Sequence, residues 1–344
     1  SGWFTEASKT RQFEKMFANF VGVKYACVVT SGTAALYVGL KALGIGNGDE
    51  VIVPDLNFVA GPNSVEAVGA KPVLIDIEPS SLNIDLKKIK HAITKRTRAI
   101  MPVDFNGRGV DIKSITELAN QYNLSLIEDA AHGLGCFYDK KHVGTMSDIG
   151  IFSFSTPKII STGQGGMIVT NNKKLYEKCK ALKDFGRKSG AKRNMRTAFE
   201  HPTIGYNFKF TEFQAAVGIA QMRKLKKRMI LKRKMFRLYR ELLSKVSCVN
   251  FIETDLDKIT PWMVDILVDS KRKRDSVIKH LEKNSVESRI FYPPIHRLSP
   301  YQNKDVKFKI TSEISDKGLW LPSSVNLKEN QINFICNHIK NFFK

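Results

Sequence analysis

The segment Gly150-Ile151-Phe152-Ser153-Phe154-Ser155-Thr156-Pro157-Lys158 carries an apolar run up to a lysine, and Thr162-Gly163-Gln164-Gly165-Gly166-Met167 follows it. A lysine just past a buried strand, facing glycines that let backbone approach, is placed to lose its water. Desolvation penalises the ammonium form, lowers the pKa and leaves a nucleophilic amine. In isolation, a lysine beside a loop is ordinarily a solvated side chain. A second segment, Leu126-Ile127-Glu128-Asp129-Ala130-Ala131-His132, sets two carboxylates at the end of an apolar strand. Buried charge must be paired, so at least one of them needs a cation, either a protein Arg or Lys or a cofactor cation. In a third, Thr30-Ser31-Gly32-Thr33-Ala34-Ala35-Leu36, small and hydroxylated residues run into a helical pattern. Backbone amides at a helix N-terminus, with glycine permitting close contact, suit a phosphate and equally suit plain capping.

For these groups to meet, the runs that carry them must lie side by side. Short apolar stretches alternate with helical patterns from residue 24 to about 170: Tyr25 to Val29, Glu50 to Val53, Pro72 to Ile77, Ala99 to Phe105, Ser125 to Ile127, Gly150 to Phe154 and Met167 to Thr170. Such alternation predicts an α/β fold whose sheet is largely parallel and covered by helices on both faces, with ligands beyond the carboxyl ends of the strands. From Thr211, whose hydroxyl suits an N-cap, to about Val246 the pattern is one long helix without proline. Beyond it, strands at Met263 to Val268 and Val286 to Phe291 and helices at Ser276 to Lys283 and Glu329 to Phe343 predict a smaller α/β domain. The expected division is residues 1–220 for the large domain and 221–344 for the bridging helix and small domain.

Composition sets the outer bounds. A chain of 344 residues, 42% hydrophobic and 26% charged, is an ordinary globular protein long enough for two domains. No apolar run reaches the roughly 20 residues of a membrane helix, and no secretory leader is visible, so a cytoplasmic protein is expected. The chain opens at Ser1-Gly2-Trp3 without methionine, as it would with a leading segment removed or left out of the numbering. Five scattered cysteines with no C-x-x-C pair read as free thiols, mostly core, with no metal site. The net charge of +22 has two readings, a basic nucleic-acid or membrane surface and lysine enrichment along the whole chain. In the densest cluster, Arg223 to Arg228 with Lys232-Arg233-Lys234, the residues Met222, Leu225, Met229 and Phe236 fall near helical spacing. A solvated helix face is expected there rather than a nucleic-acid patch.

Together these segments resemble the DegT/DnrJ/EryC1/StrS family of sugar aminotransferases, which have the fold-type-I aminotransferase fold. The resemblance spans the chain, from Ser1-Gly2-Trp3 and Phe13-Glu14 through Val53-Pro54 and Glu128-Asp129-Ala130-Ala131 to Lys158 and Gly163-Gln164-Gly165-Gly166. It continues through Gly205-Tyr206-Asn207, Thr211, Tyr292-Pro293-Pro294-Ile295-His296 and Leu321-Pro322-Ser323. It implies pyridoxal 5′-phosphate as cofactor. By the same resemblance Lys158 holds it as a Schiff base and shuttles the proton, and Asp129 pairs with the pyridinium nitrogen. Gly32, Thr33 and Ser153 hold the phosphate, Phe58 lies against the ring, His132 belongs to the cofactor surroundings, and Asn207 reaches the phosphate of a neighbouring subunit. A homodimer with shared active sites is therefore implied, with glutamate as amino donor and a nucleotide-linked keto sugar as acceptor. The segment Ser288 to Pro293 is most similar to perosamine-synthase-like members, which favours a 4-keto-6-deoxyhexose.

Three positions depart from the family pattern and bear on the cofactor surroundings and substrate choice. His132 stands where many members have Gln, Asp104 where many have His, and Gln164 where Glu is common. Relatives that carry histidine in place of the lysine dehydrate the sugar, and Lys158 argues against that chemistry here. A non-catalytic regulatory or nucleic-acid-binding relative is the further alternative, motivated by the charge and opposed by the intact lysine and aspartate.

Overall fold

The computed structural model describes residues 2–188, 200–302 and 308–344. Seven of the apolar runs form strands of one sheet: β1 (Tyr25–Val29), β2 (Glu50–Pro54), β3 (Lys71–Ile75), β4 (Thr97–Ile100), β5 (Ser125–Asp129), β8 (Ile149–Ser153) and β9 (Gly166–Thr170). The pair β6 (Phe137–Tyr138) and β7 (Lys141–His142) is a short separate hairpin. Spatial order is β1-β9-β8-β5-β4-β2-β3. From β8 to β3 all neighbours are parallel, and β9 runs antiparallel to both β1 and β8. Alternate residues face opposite layers, as a pleated strand requires. Val51, Val53, Ile127 and Ile151 join one core with the helices α2 (Gly32–Ala42), α3 (Ala60–Ala67) and α6 (Lys173–Lys183). Ile52, Ile100 and Leu126 join another on the far face with α4 (Leu86–Ala92) and α5 (Ile112–Tyr122). The expected α/β architecture, a mostly parallel mixed sheet between helices, is therefore present.

The helix α1 (Ser8–Val21) has no side-chain cap of its own from Ala7. Glu212 supplies it from more than two hundred residues away, its carboxylate accepting from the N–H groups of Ala7, Lys9 and Thr10 and from Thr10 Oγ1 at 2.6–2.9 Å. Glu212 opens α7 (Glu212–Leu243), whose N-cap is Thr211 as expected. The expected domain division between residues 220 and 221 falls inside this helix. The far half of α7 buries Met235, Phe236, Tyr239 and Leu243 against a second, wholly antiparallel sheet. Its strands β10 (Val249–Phe251), β11 (Val264–Val268), β12 (Arg289–Ile290) and β13 (Gly318–Leu321) lie in the order β10-β11-β13-β12. Around it pack α8 (Lys271–Lys283), α9 (Lys309–Lys317) and α10 (Glu329–Phe343).

Two polar locks fix this C-terminal sheet to the first. The guanidinium of Arg108 makes a buried bidentate pair with Asp265 at 2.8 and 2.9 Å and also donates to Thr254 Oγ1. At the end of β2, Asp55 accepts from His296 N at 2.9 Å, and its other oxygen meets His296 Nδ1 at 2.7 Å.

The basic cluster departs in part from the solvated face expected of it. Met222, Leu225 and Phe236 are buried as their spacing indicated, but Lys232 is buried too and donates to Ser323 O at 2.7 Å. Arg228 and Arg233 likewise donate to the carbonyls of Ile159 and Ile259, so part of the cluster ties α7 to neighbouring segments. Cys27, Cys136, Cys179 and Cys336 are buried free thiols, and Cys248 is half-buried. Among the described residues no helix is long and apolar enough to cross a membrane.

Candidate active site

The carboxyl ends of β1, β5 and β8 converge on a cavity of about 810 Å³, closed from the other side by Trp262, Tyr292 and Trp320 of the C-terminal part. Gly32, Thr33, Phe58, Asp129, His132, Ser153 and Lys158 all line it. Asn207 does not. It is exposed on a segment whose backbone bridges Asp184, away from the cavity of its own chain.

Each wall has a local cause. At the β1–α2 turn, Ser31 caps the helix by accepting from Ala34 N at 3.0 Å, which leaves the first turn presenting backbone amides. Glycine at position 32 keeps that turn close to β8, since a Cβ there would sit 3.1 Å from Ser153 Cβ and 3.2 Å from its hydroxyl. Ser153 in turn hydrogen-bonds Ser155 at 3.3 Å. The result is a cradle of amides and hydroxyls, suited to an anion. Asp129 ends β5 and is 7% exposed. One carboxylate oxygen accepts from Ala131 N at 3.0 Å, and burial raises its pKa against the pull of that bond and of Lys158. Among the described residues it forms no ion pair with a Lys or Arg.

Lys158 follows β8, and its amine lies 4.2 Å from the centroid of the Trp262 ring. Burial lowers its pKa to about 7, with Asp129 pulling the other way, so a substantial fraction is free amine near neutrality. His132 stacks on the same indole at 4.0 Å and accepts from Asn106 N through Nδ1. Burial, and then the charge of Lys158, push its pKa well below the ordinary value. It is therefore a neutral imidazole with its proton on Nε2. Phe58 is half exposed at the mouth, 5.4 Å from Tyr292.

Known proteins resemble this chain along its whole length. The chain matches the DegT/DnrJ/EryC1/StrS aminotransferase family over residues 1–340. It belongs to that family. The GDP-perosamine synthase of Vibrio cholerae is 37% identical over 348 residues, covering 100% of this chain and 93% of that protein. The GDP-perosamine synthase of Escherichia coli O157:H7 is 36% identical, with the same coverage of both chains. Among solved structures, Helicobacter pylori PseC, an aminotransferase involved in the biosynthesis of pseudoaminic acid, superposes with a TM-score of 0.92 at 28% identity. That match covers 100% of this chain and 93% of PseC.

As a member of the family, the protein is a pyridoxal-phosphate-dependent aminotransferase. The residues present fit that cofactor. The cavity combines a cradle suited to a phosphate, a buried carboxylate with no ion pair among the described residues, a desolvated amine and aromatic walls. Sequence reasoning missed Trp262, which has no periodic or motif signal of its own. Gln164 lines the cavity as its place in the glycine-rich stretch suggested.

Asp104 stands apart from the expectation that it borders the cofactor. β4 ends at Ile100, and the chain turns through Asp104 into a short 3₁₀ segment, Phe105–Gly107, which buries Asp104 completely and out of the cavity. There it lies against Glu128. Asp104 accepts from Val110 N at 3.1 Å and Glu128 from Gly144 N at 2.7 Å. Among the described residues the second oxygen of each acid has no hydrogen-bond partner. Burial first, and then the mutual repulsion of the carboxylates, push Asp104 well above the usual range, and burial raises Glu128. One proton shared between the two oxygens satisfies both. Because the native pair retains a proton that the unfolded chain releases, stability must fall as pH rises above the ordinary carboxylate range towards the raised pKa. Asp104→Asn supplies a permanent donor to Glu128 and removes the part of that slope that Asp104 contributes. Denaturant midpoints between about pH 5 and pH 8 should decline more steeply in the wild type than in the variant, and equal slopes would contradict a shared proton.

Proposed function

We propose that the enzyme transfers an amino group from glutamate to the ketone of a nucleotide-linked 4-keto-6-deoxyhexose. The observation that carries the chemistry is the juxtaposition, in one cavity, of the desolvated amine of Lys158 and the buried carboxylate of Asp129. Identities of 36–38% with three GDP-perosamine synthases support the acceptor class. When bound, pyridoxal phosphate supplies an electron sink for the reacting carbon. Lys158 is proposed as its attachment point and as the base that takes and returns the proton at that carbon, a task suited to a pKa near the working pH. Asp129 holds a negative charge where the ring nitrogen must stay protonated. Gly32, Thr33 and Ser153 hold the phosphate, Phe58 and His132 bound the ring, and Arg289 at the rim meets the anionic ends of donor or acceptor. Residues 1–220 and 221–344 act as two domains, as the two separate sheets suggest, and a cytoplasmic location belongs to the same proposal.

The site is further proposed to be shared in a homodimer. Asn207 is held away from its own cavity, close in sequence to Ile204, Tyr206 and Phe213, which are exposed together with Trp3 and Phe4. Phe4 and Phe213 stack on each other at 5.9 Å with their surfaces open. A second copy would cover these apolar residues and bring its Asn207 to the phosphate.

Incubation with glutamate and a panel of nucleotide-linked keto sugars, read by mass, should show an amino sugar from the 4-keto-6-deoxy substrate. Loss of water instead would indicate dehydratase chemistry, and no product from any sugar would overturn the acceptor class. For the dimer, Lys158→Ala and Asn207→Ala chains should each be impaired as homodimers. Mixed under conditions that exchange subunits, they form heterodimers with one doubly damaged and one intact site, so activity should exceed the mean of the two samples. Activity that stays at the mean after confirmed exchange would rule out a cross-subunit role for Asn207.

A further inference from the structure

Trp262 has no part in the roles above, yet three contacts converge on its indole. Its Nε1 donates to Pro157 O at 2.7 Å, the carbonyl immediately before Lys158. The Lys158 amine lies 4.2 Å from the ring centroid, and the His132 ring stacks at 4.0 Å with an interplanar angle of 17°. The indole is itself held from behind. The Asn106 side chain accepts from Met263 N at 2.7 Å and donates to Met263 O at 2.9 Å, clamping the residue next to Trp262 from both sides. With 4% of its surface exposed, the indole is a fixed element gripping both the backbone and the side chain of the lysine.

A lysine that bonds to a cofactor and also carries protons must be free for part of each cycle, and its amine then needs a defined place. We propose that Trp262 is the positioning residue of Lys158: its N–H anchors the peptide before the lysine, and its face receives the ε-amino group whenever that group is not bonded to the cofactor. This rests on the assignment of Lys158 as the cofactor-bearing lysine. An aromatic face attracts an ammonium more than a neutral amine, and more strongly where water is excluded. The ring therefore opposes the desolvation that lowers the lysine's pKa and keeps the amine from being locked in the neutral form. The other titratable or charged groups around it are Asp129 from β5, His132 after it, Tyr292 beyond β12, and Glu287 and Arg289 at the rim. Of these, Asp129 acts in the same direction as the ring.

The test uses cofactor-free protein. Lys158 is acylated with acetic anhydride across a pH series, and the modified peptide is quantified by mass in the wild type, Trp262→Phe and Trp262→Met. In the wild type, half-maximal reactivity should fall near neutral pH. Trp262→Met fills much of the space without a π face and should move the midpoint down by about one pH unit, a tenfold change in the amine-to-ammonium ratio. Trp262→Phe keeps a face and should restore a wild-type midpoint although the bond to Pro157 is lost. A purely structural role would lower thermal stability in both variants and leave the midpoints alone. A Trp262→Met midpoint that is unchanged or raised overturns the role of Trp262 while leaving that of Lys158 intact. A wild-type midpoint in the ordinary lysine range overturns the assignment of Lys158 itself. If Trp262→Met does not fold, the difference in tryptophan emission between the wild type and Trp262→Phe should titrate with the Lys158 midpoint, and a flat difference overturns the proposal.

Discussion

A carboxylate placed at the end of a buried parallel strand must meet positive charge, and among the described residues Asp129 is such a carboxylate with no ion pair to a Lys or Arg, only the longer-range pull of Lys158. The hydrogen bond its side chain accepts from Ala131 N offsets only part of the loss of water. Much of the site can be understood as what surrounds that unmet demand. β4 and β5 fix its depth, with Asp129 N donating to Pro102 O and Asp104 N donating to Asp129 O. The antiparallel entry of β9 beside β8 brings Gly166 against Ser31, where any side chain would strike the Ser31 carbonyl. That contact holds the anion cradle of α2 over the same cavity. A cofactor with a cationic ring nitrogen and a phosphate matches both ends of this arrangement.

The C-terminal sheet does more than cover the cavity. The turn after β4 carries Asn106, which clamps Met263 and donates its backbone N–H to His132, and Arg108, which pairs with Asp265 of β11. One of the two locks on the second sheet and the placement of Trp262 beside Lys158 thus share one short segment. The positive φ of Asn106, 54°, is a conformation asparagine tolerates better than most residues. The strain is retained where the two sheets and the site meet.

How far the sequence discloses this depends on the range of each interaction. The strands, the gathering of Gly32, Asp129 and Lys158 at their carboxyl ends, the N-cap at Thr211 and the helix Glu329–Phe343 are legible in the sequence, because period and local chemistry lie within a few consecutive residues. The strand expected over Val286–Phe291 contracts to Arg289–Ile290, and β13, only four buried residues, is too short for its periodicity to be read. Asp104 resisted reading because its partner is Glu128 on a neighbouring strand. Arg108 and Asp265 are separated by 157 residues, and Trp262 meets Pro157 from 105 residues away. Lys232 sits in a run of cations that reads as solvated, and only the carbonyl of Ser323 shows why it is buried.

The most direct test of the central claim, that the desolvated amine of Lys158 and the buried carboxylate of Asp129 form one pyridoxal-phosphate site, is chemical mapping of the cofactor. Borohydride reduction of the enzyme with its cofactor, followed by proteolysis and mass analysis, should place the reduced pyridoxyl group on Lys158. In Asp129→Asn the same peptide should still be labelled, because the phosphate cradle and the lysine are intact, while turnover falls steeply. The reduced group on any other lysine, or an Asp129→Asn enzyme with wild-type turnover, would contradict it.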